Sequence, residues 1–335
     1  MLNRDAANAF RWDQSAQGHY ESYFQRANHP ARPLAFWIRY TLFAPKARPR
    51  DAVGELWAVY FDGESERTAA IHQQFALNTC RFSRSGLGVE IGESVLDDQV
   101  LRGHAESSRH AIAWDLRYES DQPPLLLLPE RLYDAGFPKA KALVAAPLAR
   151  FNGSLTLDGA AIEIDDWVGS QNHNWGSKHT DRYAWGQVAG FDDAPGSFLE
   201  LSTAQVQIGP LKTPWLSPIV LRHDGHEHRL NAITQALRAD AHYTERAVDG
   251  RFSWRFASRD REVDIQGVIE APEQAFVSLP YANPPGGMKT CLNSKLARAR
   301  VTLSRRGQPR VVLTTEHRAA FEILTTGHVT GVATL

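Results

Sequence analysis

Short runs of β-branched and aromatic residues, separated by turn dipeptides at roughly ten-residue spacing, recur along the whole chain. Leu34 to Phe43 is such a run, and Asp158-Gly159 between two further runs is a strong hairpin signal. About sixteen strands of this kind favour β-barrels or sandwiches over a doubly wound α/β fold. Only Ser15 to Arg26 and Asn293 to Ala297 are predicted as short helices.

The length of the chain, 335 residues, is about twice that of a common single domain. A cluster of turn-forming residues, Gly209, Pro210, Pro214 and Pro218, places the predicted boundary at residue 210. We therefore expect an all-β protein of two antiparallel barrel or sandwich domains, residues 1–210 and 211–335, with few short helices.

The balance of charged residues and the two cysteines indicate which kinds of partner and which cell compartment are expected. The 37 Lys and Arg residues nearly balance the 38 Asp and Glu residues, so a nucleic-acid partner is not expected. Cys80 and Cys291 form no CxxC pair, which favours two free thiols in a reducing compartment.

The N-terminus carries no secretory pattern, and the longest apolar run, Leu125 to Leu128, is too short to span a bilayer. These features predict a soluble, cytoplasmic protein.

The familiar catalytic motifs GxxxxGK[ST], GxGxxG, HExxH and GxSxG do not occur in the sequence. Any chemistry must therefore come from a scattered set of side chains, and we expect neither an organic cofactor nor a metal. His223, His226 and His228 flank the Asp224-Gly225 turn, where an exposed hairpin is favoured over a metal site. Arg39 is interpreted as a surface residue in preference to a group that binds a ligand carboxylate.

Residues 166–187, DWVGSQNHNWGSKHTDRYAWGQ, concentrate aromatic, histidine and amide side chains. Gly169 and Gly176 predict that the segment begins as an irregular loop and enters a strand near Asp181. The period of two then places Asp181, Tyr183, Trp185 and Gln187 on one face and small residues on the other, as in a strand that lines a cavity. The alternative is a packed inter-domain loop with no cavity of roughly 300 Å³ beside Trp175 and Trp185.

The blocks QNHNWG (171–176) and RYAWGQ (182–187) resemble the hallmark segment of tocopherol cyclase and the hydroxyneurosporene synthase (carotenoid 1,2-hydratase) group, which has lipocalin-like relatives. The resemblance implies two lipocalin-like β-domains with a ligand site near their junction. Its specific part covers this segment, and the order of strands agrees loosely over most of the chain.

Cyclases and hydratases of isoprenoids protonate an alkene, which requires a neutral acid in a dry, aromatic pocket. Asp181 is the first candidate for that acid, ahead of Glu200, Asp165 and Asp166, and His173 and His179 are candidates to donate or relay protons. The predicted ligand-binding residues are Asn172, Asn174, Trp175, Tyr183, Trp185 and Gln187.

We expect a cofactor-independent enzyme that hydrates, cyclises or isomerises an isoprenoid- or polyketide-like molecule, with peripheral membrane contact for substrate access. A non-catalytic carrier of a hydrophobic ligand is the alternative, and a structural protein whose aromatic cluster is simply core is the third.

Overall fold

The computed structural model describes residues 3–325 and 332–335, which are almost entirely β-structure. Helical structure is limited to short segments, as predicted. They are α1 (Arg4–Asn8), α2 (Ile233–Arg238) and the 3-10 turns Pro49–Asp51, Leu77–Thr79, Glu130–Leu132 and Glu273–Ala275. Within these described ranges, no helix is long and apolar enough to cross a membrane.

The first of two large sheets contains twelve strands in antiparallel pairs. In chain order they are β1 (His19–Asn28), β2 (Leu34–Ala44), β3 (Val53–Asp62), β4 (Arg67–Ala76), β5 (Cys80–Phe82), β6 (Gly88–Ile91), β7 (Ser94–Asp97), β8 (Val100–Glu106), β9 (Ala111–Glu119), β10 (Leu125–Leu126), β11 (Ala140–Leu157) and β12 (Ala160–Gly176). Their order in the sheet is β4-β3-β2-β1-β12-β11-β9-β8-β7-β6-β5, with β10 paired to β11. The Asp158-Gly159 turn joins β11 to β12, as predicted.

The second sheet contains eleven strands, and residues Gln207–Ile208 and Leu211–Lys212 form a separate two-stranded hairpin. In chain order the strands are β13 (Arg182–Ala189), β14 (Phe198–Gln205), β15 (Gln207–Ile208), β16 (Leu211–Lys212), β17 (Ile219–His223), β18 (His226–Leu230), β19 (Asp240–Tyr243), β20 (Arg251–Arg259), β21 (Val263–Pro272), β22 (Val277–Ala282), β23 (Met288–Arg305), β24 (Val311–Thr325) and β25 (Ala333–Thr334). The order is β18-β17-β14-β13-β24-β23-β21-β20-β19, while β22 pairs with β23 and, in parallel, with β25.

The chain passes from the first sheet to the second within residues 177–181, between β12 and β13. The boundary predicted at residue 210 falls later, in the turn between β15 and β16. The division into two separate domains stays a prediction.

Three local predictions are wrong. The segments predicted as helices, Ser15 to Arg26 and Asn293 to Ala297, lie largely in β1 and within β23, each hydrogen-bonded to strands on both sides. The segment predicted as an irregular loop continues β12 to Gly176, between β1 and β11. Strand pairing with distant parts of the chain overrides the local pattern in all three cases.

Each sheet encloses its own hydrophobic core, and a third apolar layer lies at the junction between the sheets. Strand β13 contributes to two of these layers. Ala184 and Val188 point into the second core, whereas Trp185 lies in the junction layer and Tyr183 packs against it. The predicted alternation is therefore confirmed for Tyr183 and Trp185, whereas Asp181 precedes the strand.

Candidate active site

A cavity of about 280 Å³ lies between the two sheets, next to Trp185. Aromatic rings from both sheets form its wall: Phe24, Trp37, Tyr183, Trp185 and Tyr281. The residues that face it from β1, β13 and β14 alternate with residues that enter the cores, because successive side chains of a strand point to opposite faces. An apolar space of this size with a few polar groups is typical of small-molecule sites.

The rim of the cavity is formed by the segment between β10 and β11 together with α2. The hydroxyl of Tyr133 donates to the Ala142 carbonyl at 2.7 Å and accepts from the Leu128 amide at 3.2 Å, which fixes the segment against β11. From the second sheet, the Asn231 side-chain amide donates to the Leu127 carbonyl at 3.1 Å. Both sheets therefore hold the rim.

Glu200 on β14 is the carboxyl group best suited to proton transfer. It lines the cavity and is only 2% exposed. Trp185 Nε1 donates to its Oε1 at 2.7 Å, and Gln187 Nε2 donates to its Oε2 at 2.8 Å. Burial raises the pKa of Glu200 to about 8, against the lowering effect of these two hydrogen bonds. The group is therefore mostly protonated at neutral pH and able to exchange its proton.

Gln187 connects Glu200 to the first sheet. Its amide nitrogen also donates to Asn172 Oδ1 at 2.8 Å, and its Oε1 accepts from Ser170 Oγ at 2.6 Å and from Arg26 Nη1 at 3.1 Å. Gln187 is fully buried and does not line the cavity. It therefore positions Glu200 and Asn172 without facing the space itself.

His173 lines the cavity but is held by an extensive structural network. Its Nδ1 lies 2.7 Å from the Ala7 carbonyl and its Nε2 lies 3.0 Å from Glu21 Oε1, so both ring nitrogens face acceptors. Burial would raise the pKa of Glu21, but hydrogen bonds from His173 and His19 hold it at about 2. The ring also stacks on Tyr23 at 4.3 Å between centroids. Its polar atoms are therefore committed to the fold.

His179 also lines the cavity and stacks on Tyr20 at 4.0 Å between ring centroids. Burial, together with the positive charge of Arg39, lowers the pKa of His179 to about 3. The neutral ring can donate from Nε2 to the Ala282 carbonyl at 3.2 Å, which leaves Nδ1 as an acceptor. This geometry suits Nδ1 of His179 to accept a hydrogen bond from a ligand, while the low pKa makes the ring a weak base.

Asp181, the first sequence candidate for the acid, does not line the cavity. Its carboxylate pairs with Lys178 at 2.8 Å and Lys289 at 3.6 Å, and it accepts from the Gln207 amide at 2.8 Å. Burial opposes the charge, but the Lys178 and Gln207 hydrogen bonds lower the pKa of Asp181. An ionised, ion-paired carboxylate cannot serve as a neutral acid.

The structure brings six of the predicted site residues to the cavity wall: Asn172, His173, Asn174, His179, Tyr183 and Trp185. Trp175 lies elsewhere, packed against Ala7 and Leu143 with the Arg11 guanidinium 4.0 Å from its ring centroid. Gln187 and Asp181 lie outside the wall as described above.

Two charged residues of the cavity wall, Arg39 and Glu200, differ from the prediction made from the sequence. Arg39 was interpreted as a surface residue, but it is buried on β2 and lines the cavity. Glu200 was ranked below Asp181. The sequence does contain an indication of both residues. Arg39 lies in the largely apolar strand pattern LAFWIRYTLF, and Glu200 lies in FLELS. Charged side chains are rarely buried without a partner, so a charge within such a pattern indicates a functional or structural role.

The part of the chain that the structure describes contains no cluster of three metal-ligating side chains. The predicted hairpin of β17 and β18 is present, but His223 is buried and lies 2.8 Å from Ser197 Oγ rather than being exposed. Cys80 and Cys291 are both free thiols, as predicted.

No protein-family model matches the chain. An uncharacterised protein of Mycobacterium tuberculosis is 26% identical over 305 residues, which cover 88% of this chain and 84% of that protein.

Solved structures with the same overall fold have lower sequence identity. Kievitone hydratase from Nectria haematococca superposes with a TM-score of 0.55 at 11% identity, covering 97% of this chain and 96% of the hydratase. CghA superposes with a TM-score of 0.54 at 13% identity, covering 93% and 90% of the two chains. A protein of Nitrosomonas europaea, provisionally named AttH, gives 0.55 at 16% identity, covering 97% and 99%. This chain therefore has the two-sheet, lipocalin-like fold of these proteins, as the resemblance of residues 166–187 implied.

Proposed function

We propose that the chain is an enzyme that hydrates, cyclises or isomerises a hydrophobic small molecule in the inter-sheet cavity, with Glu200 as its acid–base group. The observation that carries this proposal is a buried carboxyl group at the cavity wall with a pKa near 8. Such a group supplies a proton to a bound carbon or oxygen atom at neutral pH and recovers it afterwards. The fold shared with kievitone hydratase agrees with a catalytic role.

Each part of the wall has a role in this proposal. Trp185 and Gln187 fix the carboxyl group through one hydrogen bond to each oxygen. The aromatic rings of Phe24, Trp37 and Tyr183 enclose the apolar body of the substrate and exclude water. In a hydration, the Glu200 proton goes to the substrate, water supplies the hydroxyl group, and a proton from that water restores Glu200.

The test replaces Glu200 by Gln, which keeps the shape of the side chain but removes the transferable proton. Purified protein would be incubated in D₂O with a panel of isoprenoid and polyketide alkenes and enones, and deuterium uptake into products measured by mass spectrometry. We expect the loss of a general acid to reduce turnover about 10²- to 10⁴-fold. Binding of the same compound should change little.

Asp181→Asn is the matched control, because it removes a carboxylate that lies outside the cavity wall. Its turnover should stay close to that of the wild type. Wild-type activity retained in Glu200→Gln, or an equal loss in both variants, contradicts the proposal. If the wild type binds panel compounds but converts none of them, the alternative function, a carrier of hydrophobic molecules, is favoured.

A further inference from the structure

Arg39 is a buried cation that forms no ion pair with the residues that the structure describes. It lies on β2, is 5% exposed and faces the cavity. Its Nη2 donates to Ser22 Oγ at 2.6 Å, and its guanidinium carbon lies 4.6 Å from the Tyr281 ring centroid. Its Nε has no hydrogen-bond partner, and no carboxylate lies within ion-pair distance of it among residues 3–325 and 332–335.

The other charged side chains of the wall form an ion pair, donate to backbone carbonyls or are neutral. Glu322 pairs with Lys295 at 2.8 Å. The Lys141 ammonium donates to the carbonyls of Ala135 at 2.8 Å and Pro138 at 2.9 Å. Glu200 is mostly protonated at neutral pH because of its raised pKa. Among the described residues, Arg39 is therefore the cation of the wall with an unpartnered N–H donor, although Glu55 and Glu322 compensate part of its charge from beyond ion-pair distance.

Glu55 is the carboxylate of the neighbouring strand β3, and its oxygens are used elsewhere. It accepts from Gln74 Nε2 at 3.1 Å and Trp57 Nε1 at 3.3 Å, and it lies 3.5 Å from His72 Nε2. A buried charge without a carboxylate in contact has a free-energy cost, which a ligand of opposite charge can lower. A guanidinium group matches a carboxylate through parallel N–H donors, with Nε as one of them.

We propose that Arg39 binds the carboxylate of an otherwise apolar ligand, so that the cavity takes hydrophobic carboxylic acids in preference to neutral molecules of the same shape. The inference rests on the proposed function in that it names the substrate class of the same cavity. The buried guanidinium anchors one end of the molecule, and the aromatic rings take its apolar body.

Isothermal titration of the full-length protein with decanoate and with 1-decanol tests this inference, because the two probes share a chain and differ at the head group. The wild type should bind decanoate at least about tenfold more tightly than 1-decanol, the order expected for a charge-assisted hydrogen bond. Arg39→Met should remove this preference and leave binding of 1-decanol within about twofold of the wild type. Arg39→Lys, which keeps the charge but not the fork of donors, should retain part of the preference.

Lys141→Met is the matched control, since it removes a second cation of the wall whose ammonium is already satisfied. Its preference for decanoate should equal that of the wild type. The proposal is overturned if decanoate does not bind the wild type, if Arg39→Met and Arg39→Lys keep the wild-type preference, or if Lys141→Met loses as much of it as Arg39→Met. Glu200→Gln should keep the preference, so a failure of this inference is distinct from a failure of the acid–base proposal.

Discussion

Glu200 and Glu322 line one cavity but have different environments. Glu322 pairs with the Lys295 ammonium at 2.8 Å and accepts from Asn293 Nδ2 at 2.9 Å. Glu200 has no such cation within ion-pair distance among the described residues, and it accepts only neutral N–H groups. Burial is the main cause of the raised pKa of Glu200, and the negative charge of Glu322 adds to it.

The raised pKa of Glu200 predicts a pH dependence of stability. Between the ordinary value of 4.5 and the folded value of about 8, the folded protein keeps a proton that the unfolded chain has lost. The resulting stability is fully present below pH 4.5 and is lost as pH rises through about 8. Each pKa unit corresponds to about 1.4 kcal/mol of unfolding free energy.

Urea unfolding of the wild type and Glu200→Gln between pH 5 and 9 measures this contribution. The variant cannot titrate at this position, so its stability should fall less over the same range. Glu21, whose pKa is about 2 in the folded protein, stays ionised throughout that range and should not contribute. Parallel profiles for the two proteins would show that Glu200 ionises normally.

Within a strand, the alternation of the sequence predicts correctly which side chains face the cavity, but it does not apply to residues just outside the strand. Tyr183 and Trp185 lie within β13, and the period of two placed both on the cavity side. Asp181 precedes the strand, so the same period does not apply to it. Arg39 lies in a run that is buried on both faces, and only the packing of the second sheet shows which face meets the cavity.

At the scale of elements, β12 shows why a polar segment can be a strand. Its Gln171, Asn172 and His173 side chains find partners that are distant in sequence, whereas Asn174 Oδ1 has none among the described residues. Gln171 and Asn8 form a reciprocal pair of amide hydrogen bonds at 2.9 and 3.0 Å, and Asn172 accepts from Gln187. These partners come from the N-terminal segment and from the second sheet, so a local pattern cannot reveal them. The short strands around turn dipeptides, by contrast, follow from local chemistry and were predicted well.

Gly169 does not interrupt β12. It allows the neighbouring strand β1 to approach β12 closely at this position. A Cβ atom built at this position would lie 1.7 Å from the Arg26 carbonyl oxygen, a backbone atom that cannot move without separating the strands. Gly169→Ala should therefore lower the free energy of unfolding by about 1–3 kcal/mol, as overpacked sites do. Urea unfolding at neutral pH measures this loss.

Gly196, which precedes β14, is the matched control for this substitution. A Cβ atom there meets no atom within 4 Å. Gly196→Ala should change the free energy of unfolding by about 0.5 kcal/mol or less. Equal losses in the two variants would mean that the close approach of β1 and β12 is not the cause.

At the scale of the whole molecule, the junction layer joins the two sheets. Trp37 and Phe61 from the first sheet pack with Trp185 and Leu279 from the second, and all four are buried. Arg26 Nη2 also donates to the Arg318 carbonyl at 2.8 Å, across the same junction. A large, apolar interface with buried hydrogen bonds couples the stability of the parts it joins. Each sheet would expose much of this layer to water if the other unfolded.

We therefore expect a substitution in the first core to destabilise both sheets together. Leu116→Ala removes a fully buried side chain of that core, far from the cavity wall, and should cost about 2–5 kcal/mol. Native-state hydrogen exchange should show equal losses of protection in the most stable amides of the first and the second sheet, and Leu303→Ala in the second core should give the reciprocal result. If the second sheet kept its full protection in Leu116→Ala, the sheets would be independent domains, and the cavity between them could open without unfolding either one.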